Sequence, residues 1–140
     1  MINFYRKFIL VSFVCIIAIS GFAQNFIGQH KQDIRQKVKE FYPGFNFDKE
    51  VENGKKSFLK YVNTIEEQTL LFILDENGIC TSTARMYNSW LFSKIKGELD
   101  KKYKRKDSLT WQDFINGTEY EIFIKKGNWF FTVITRPKKK

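Results

Sequence analysis

His30 is the only histidine in the 140-residue chain. A zinc site of nitrogen and sulfur donors, or a nucleophile–imidazole–carboxylate relay, needs an imidazole beside cysteine, hydroxyl or carboxylate partners. His30 has no cysteine near it and sits where a helical pattern begins, so a solvated surface residue is the plainer account. Carboxylates come in pairs at Glu50/Glu52, Glu66/Glu67 and Glu119/Glu121. Glycoside hydrolysis would need two acids at a set separation, one of them in a pocket that raises its pKa. Lysines and turn formers flank these pairs, and solvated strand faces and loops explain them. The chain has no glycine-rich phosphate loop and no nucleophile elbow. Asn116-Gly117-Thr118 fits a glycosylation sequon, but a hairpin turn accounts for the same residues. No catalytic residue, metal or cofactor is therefore expected.

The amino end carries a different kind of signal. Arg6 and Lys7 precede an apolar run from Phe8 to Ile19, and Ser20-Gly21-Phe22-Ala23 offers small residues around a cut after Ala23. Charge, short apolar run and small-x-small site make a secretory signal peptide over residues 1–23. The run is shorter than the roughly 20 apolar residues that span a bilayer. An uncleaved anchor is the competing reading. Cys15 lacks the small residue expected just before a lipidated cysteine. Cleavage leaves residues 24–140 with 24 − 2 = 22 basic and 15 acidic side chains, a net charge of +7. That length makes one domain, expected to be exported, periplasmic or secreted, with no transmembrane segment after cleavage. Export removes nucleic acid as a partner. Anionic polysaccharide, lipid headgroups or acidic proteins remain. Cys80, then the only cysteine, cannot make an internal disulfide. Its alternation with Ser82, Ala84 and Met86 predicts a buried, inert thiol.

Two surpluses could support binding. One is basic: Lys101, Lys102, Lys104, Arg105 and Lys106, with a tail from Arg136 to Lys140. Cations at a helix end complement its dipole, so a solvated helix end and tail are one account, and a patch that docks on anionic envelope material is the other. The second is aromatic, with 24 − 5 = 19 rings after residue 23. Most join predicted core rows. Phe92, Phe114, Phe123 and Phe130 do not, and the last three would sit together on an open sheet face, as a platform for a partner or as half of a two-sided core.

These residues must be positioned by the following elements. Gln24 to Gln32 reads as a polar entry. Ile34, Val38 and Phe41 predict an amphipathic helix from about His30 to Phe41, stopped by Tyr42-Pro43-Gly44. Period-two segments follow: a strand with Phe45, Phe47 and Val51, an Asn53-Gly54 turn, a strand carrying Phe58 and Val62, the doubly apolar Thr69–Leu74, and Ile79–Tyr87. A second helix, Trp90 to Tyr103, presents Leu91, Ile95, Leu99 and Tyr103, weakened by about 1 kcal/mol at Gly97. Three more strands complete the chain. Two-residue turns at Asn116-Gly117 and Gly127-Asn128 would align Trp111, Ile122 and Val133 in one row and bring Glu119 to Arg136. The expected fold is α+β: helix, four strands, helix, three strands, as an antiparallel sheet with both helices on one face. A degenerate repeat is suggested by Ile34, Val38 and Tyr42 returning 61 positions later (95 − 34) as Ile95, Leu99 and Tyr103, and by Asn53-Gly54 returning as Asn116-Gly117.

The Phe22-Ala23-Gln24 junction, with Phe26-Ile27-Gly28 and Asp33-Ile34 ahead of a helix and hairpins, resembles small exported proteins of Bacteroidota-type bacteria. Its architecture is similar to β-lactamase-inhibitor-like and outer-membrane assembly lipoprotein domains. The lipidated cysteine of those lipoproteins is missing, so membrane anchoring is not implied. The resemblance implies binding to another protein rather than catalysis. The expectation is an exported, non-enzymatic, protein-binding module whose contact surface is Phe114, Phe123 and Phe130 with the basic edge. The alternatives are a hydrolase acting on envelope material and electrostatic association with anionic surfaces.

Overall fold

A computed structural model describes residues 26–139. The predicted signal peptide and Cys15 lie outside the described residues. Eight strands form one antiparallel sheet: β1 (Asn46–Asn53), β2 (Lys56–Asn63), β3 (Gln68–Leu74), β4 (Cys80–Asn88), β5 (Lys104–Asp107), β6 (Thr110–Ile115), β7 (Thr118–Lys126) and β8 (Phe130–Pro137). Two eleven-residue helices accompany them, α1 (Lys31–Phe41) and α2 (Phe92–Lys102), with a short 3-10 turn, Ser89–Leu91, leading into α2. The spatial order is β1-β2-β3-β4-β8-β7-β6-β5. Two four-stranded meanders therefore meet at a β4–β8 seam, and a helix precedes each.

The strand count corrects the expected four plus three. Lys104–Asp107 is an additional strand at the sheet edge, and the molecule is mostly sheet. All four of its residues are exposed, so no buried face imposes the apolar alternation by which strands are recognised. A charged edge also resists pairing with other chains.

Cross-strand partners share a face, and the register places Leu59, Phe72, Thr83 and Thr135 in one row, with Tyr61, Leu70, Arg85 and Val133 in the next. Both helices cover this face. Beneath α1, Ile34 and Val38 are fully buried against Leu59, Leu70, Phe72 and Leu74. Beneath α2, Leu91, Ile95 and Leu99 pack on Trp111, Ile122, Ile124 and Phe131. Inward residues on β2 are thus Leu59 and Tyr61, while Phe58 and Val62 face away. That strand is apolar on both sides, so period two alone cannot choose a face. β3 carries Leu71 and Ile73 on the outer face for the same reason.

Several local expectations are corrected. Phe26, within the supposed polar entry, is 1% exposed and contacts the rings of Tyr42 and Phe72 at 5.9 and 5.0 Å. Backbone bonds Gly28 N–H to Cys80 O (2.7 Å) and Cys80 N–H to Gln29 O (2.9 Å) hold this arm on β4. His30, partly exposed at the start of α1, also caps it, its Nδ1 accepting from Gln32 N–H at 3.2 Å. A bulge pairs Cys80 with Leu74 and Ser82 with Ile73, which turns Cys80 into the first core and breaks the predicted Cys80–Met86 row. Phe92 joins the second core, edge-on to Phe131 at 5.5 Å.

At Asn116-Gly117 both φ angles are positive, and Trp111 faces Ile122. The next loop is longer than two residues. Lys126 pairs with Phe131, Ile122 with Thr135 and Ile124 with Val133, a two-residue slip that keeps the same face inward. Gly127 N–H donates to Phe130 O, and a Cβ at Gly127 would lie 2.8 Å from that oxygen. The close approach needs glycine, and Gly127, Asn128 and Trp129 link the two strands. Arg136 accordingly meets Glu121, and Lys138 meets Glu119. The repeated Asn-Gly turns are not equivalent either: the first joins β1 to β2, the second β6 to β7, the second link of its meander.

Candidate functional site

The sequence-predicted aromatics occupy one face but not one cluster. Phe114, Phe123 and Phe130 all lie on the side opposite the helices, through pairings with Glu119, Ile134 and Asn88 respectively. Phe123 pairs with Thr110, four residues along β6 from Phe114, and with Ile134, four residues along β8 from Phe130. Four residues of strand span about 13 Å, so the three rings are strung from one end of the sheet to the other. Phe114 is 62% and Phe130 44% exposed. Phe123 is half-buried, with the Arg136 guanidinium 4.6 Å above its ring.

The basic residues are divided as well. Lys101 and Lys102 end α2, whereas Lys104, Arg105 and Lys106 belong to edge strand β5. Arg105 is committed to Asp100 through a bidentate pair at 2.9 and 2.8 Å. Asp100 also accepts from the indole N–H of the fully buried Trp111 at 2.9 Å. This indole hydrogen bond, reinforced by Arg105, holds the Asp100 carboxyl below its ordinary pKa. The trio clamps α2 onto β5 and β6.

Exposed aromatics converge instead at the rim formed by the β2–β3 link, the end of β4 and the β7–β8 loop. Trp90 is 78%, Trp129 81% and Ile65 94% exposed. Ser89 N–H donates to Trp129 O at 3.0 Å and Ser89 Oγ to Asn128 O at 3.3 Å. Those bonds bring the segments carrying Trp90 and Trp129 side by side. Asn88 Nδ2 donates to Glu67 Oε2 at 2.7 Å and ties in the β2–β3 link. Ile65 and Trp90 line the same depression. Sequence reasoning missed this rim because Trp90 sits at a helix start and Trp129 at a strand start, where both pass for core residues.

A second concave feature lies over the β4–β8 seam, where the C-terminal ends of both helices converge. Tyr42 and Tyr103 cap their helices through N–H bonds to Val38 O and Leu99 O, each 2.9 Å. Between them opens a cleft of about 380 Å³, floored by Thr83, Arg85 and Thr135 and walled by Tyr42, Tyr87 and Tyr103. Arg85 donates from Nε and Nη2 to Gln68 Oε1 at 3.0 and 2.6 Å. Its guanidinium lies 5.7, 5.2 and 5.1 Å from the rings of Tyr42, Phe45 and Tyr87. Burial pushes the Tyr87 phenol up to about 12, against the pull of Arg85, and raises Tyr42 for the same reason.

Carboxylates do meet in a third, shallow hollow, where Glu50, Glu52, Asp75 and Glu76 approach Lys31. Two of them are already engaged locally: Glu50 bridges Lys31 and Arg35 at 2.9 and 3.2 Å, and Asp75 accepts from Asn77 and Ile79 N–H, both at 2.9 Å. Among the described residues no group of three His, Cys, Asp or Glu side chains comes together as a metal site, and no helix is long and apolar enough to cross a membrane. Cys80 is 1% exposed, and burial raises its thiol to about 12. Comparison with protein-family models, curated proteins and solved structures returned no match.

Proposed function

We propose that this chain is an exported, non-enzymatic binding module, and that its rim of Ile65, Trp90, Trp129 and Phe130 takes an acidic protein partner. The observation that carries the reading is the pair of tryptophans, each more than three-quarters exposed, on segments joined by the Ser89–Trp129 backbone bond. Exposed tryptophan is costly to leave in water and is enriched among residues that dominate protein interfaces. Net positive charge adds attraction to an acidic surface and speeds encounter without supplying most of the affinity. The likeness to β-lactamase-inhibitor-like domains belongs to the same proposal, since it also implies binding.

Retention of envelope proteins on the immobilised protein at low and high salt tests the idea when run beside Trp90→Ala/Trp129→Ala. A discrete protein held at high salt by the unaltered protein and released by the folded double variant is the expected result. Retention by both forms would reject the rim. Capture of polyanions alone, lost as salt rises, would instead favour electrostatic association through Lys101, Lys102, Lys104 and Lys106.

A further inference from the structure

The cleft over the β4–β8 seam contains a cation that no carboxylate neutralises. Arg85 makes no ion pair among those of the described residues. Its Gln68 partner is a neutral amide that takes one N–H from Nε and one from Nη2. A guanidinium has five N–H donors, so three remain, including both on Nη1. The forked end formed by Nη1 and Nη2 is the edge that matches a carboxylate. Around it stand aromatic walls, Tyr42, Tyr87 and Tyr103, with Leu99 beside them. The other charged groups lining the cleft are Lys102 and Glu98, which leaves a net positive charge with Arg85 at the floor.

A partly apolar cleft with one convergent polar group is the usual form of a small-ligand site. Its volume of about 380 Å³ accommodates a ring or short aliphatic body with one charged end. We infer that this cleft binds a carboxylate on an apolar body, the carboxylate seated on Arg85 and the body between the helix-capping tyrosines Tyr42 and Tyr103. Such a carboxylate can belong to a free small acid or to the C-terminus of a peptide. Because each helix contributes one wall, occupancy would also draw the two halves of the molecule together. The inference is independent of the tryptophan rim, so failure here leaves the protein-binding proposal intact.

The test uses the purified protein and phenylacetate, with phenylacetamide as its uncharged counterpart, followed through backbone amide signals in NMR titrations. Saturable shifts centred on Arg85, Tyr87 and Tyr103, with the amide at least tenfold weaker, are expected. Equal binding of acid and amide, or no shift at the cleft with either, would overturn the inference. Gly-Gly-Phe with a free or amidated end separates the sources: tighter binding than phenylacetate points to a chain terminus, weaker binding to a free acid. Arg85→Gln should erase the acid–amide difference. Should that variant fail to fold, the acid–amide comparison on the unaltered protein decides alone.

Discussion

Under α1 the stripe residues Ile34 and Val38 are both fully enclosed, whereas α2 has no fully buried residue, and its Ile95 and Leu99, with Leu91 just ahead of it, stay half-covered. The first half gains this depth from the Phe26 arm, which lies over Phe72 and is hydrogen-bonded to β4. Nothing comparable precedes α2, which follows β4 through a single 3-10 turn. The second half compensates with specific polar contacts, the Asp100 links to Trp111 and Arg105. Two similar helix-plus-meander units thus hold their helices by different physics: one by apolar enclosure, the other by a shallower stripe and a carboxylate clamp.

Removing the arm's ring should break the contrast most severely. Phe26→Ala is expected to cost about 3–5 kcal/mol, the range for deleting a buried aromatic, measured as a lowered midpoint in urea at unchanged slope. A loss below about 1 kcal/mol would mean that the arm does not deepen the first core. Leu99→Ala, on the half-covered stripe, should cost less, about 1–2 kcal/mol, because fewer apolar atoms leave water there. Equal losses in the two variants would erase the difference in enclosure.

Alkali should act next, on the first core and the seam. Folding raises the pKa values of Cys80 and Tyr87 to about 12, from 9.0 and 10.0. The unfolded chain therefore loses these protons first. Stability present below pH 9 should decline from pH 9 to 12, and a thiol reagent at pH 8 should label Cys80 only on unfolding. Rapid labelling of the native protein would contradict the burial of Cys80. Acid acts on the second half. Because folding lowers the pKa of Asp100, its contribution is present above the ordinary carboxylate value and lost as pH falls through the folded one. Asp100→Asn should lower the thermal midpoint at neutral pH and flatten its decline on the acid side. An unchanged acid profile would show that the clamp does not hold α2. The smallest effect belongs to the rim, where Trp90→Ala and Trp129→Ala should each shift stability by no more than about 0.5 kcal/mol while reducing partner retention. Larger losses would move these tryptophans into the fold.

Much of this architecture is legible along the chain because it depends on local chemistry. The 3.6-residue spacing of Ile34 and Val38, and of Ile95 and Leu99, specifies two amphipathic helices. Asn116-Gly117 specifies a turn whose positive φ angles few other pairs tolerate. Trp111 opposite Ile122 follows from that turn alone. Tertiary structure decided the rest. It made a strand of Lys104–Asp107, whose charges carry no periodic signal because no face of it is buried. It chose Leu59 and Tyr61 over Phe58 and Val62, since a strand apolar on both sides is oriented only by the helix that lands on it. It carried Phe26 into a core from which its polar neighbours would exclude it. It also brought Trp90 to Trp129, and Arg85 beneath Tyr42 and Tyr103, across separations in sequence that no local pattern encodes. Helices and tight turns are written in nearest-neighbour sterics and periodic burial, but a site assembled at the seam of two meanders exists only once β4 and β8 have paired beneath it.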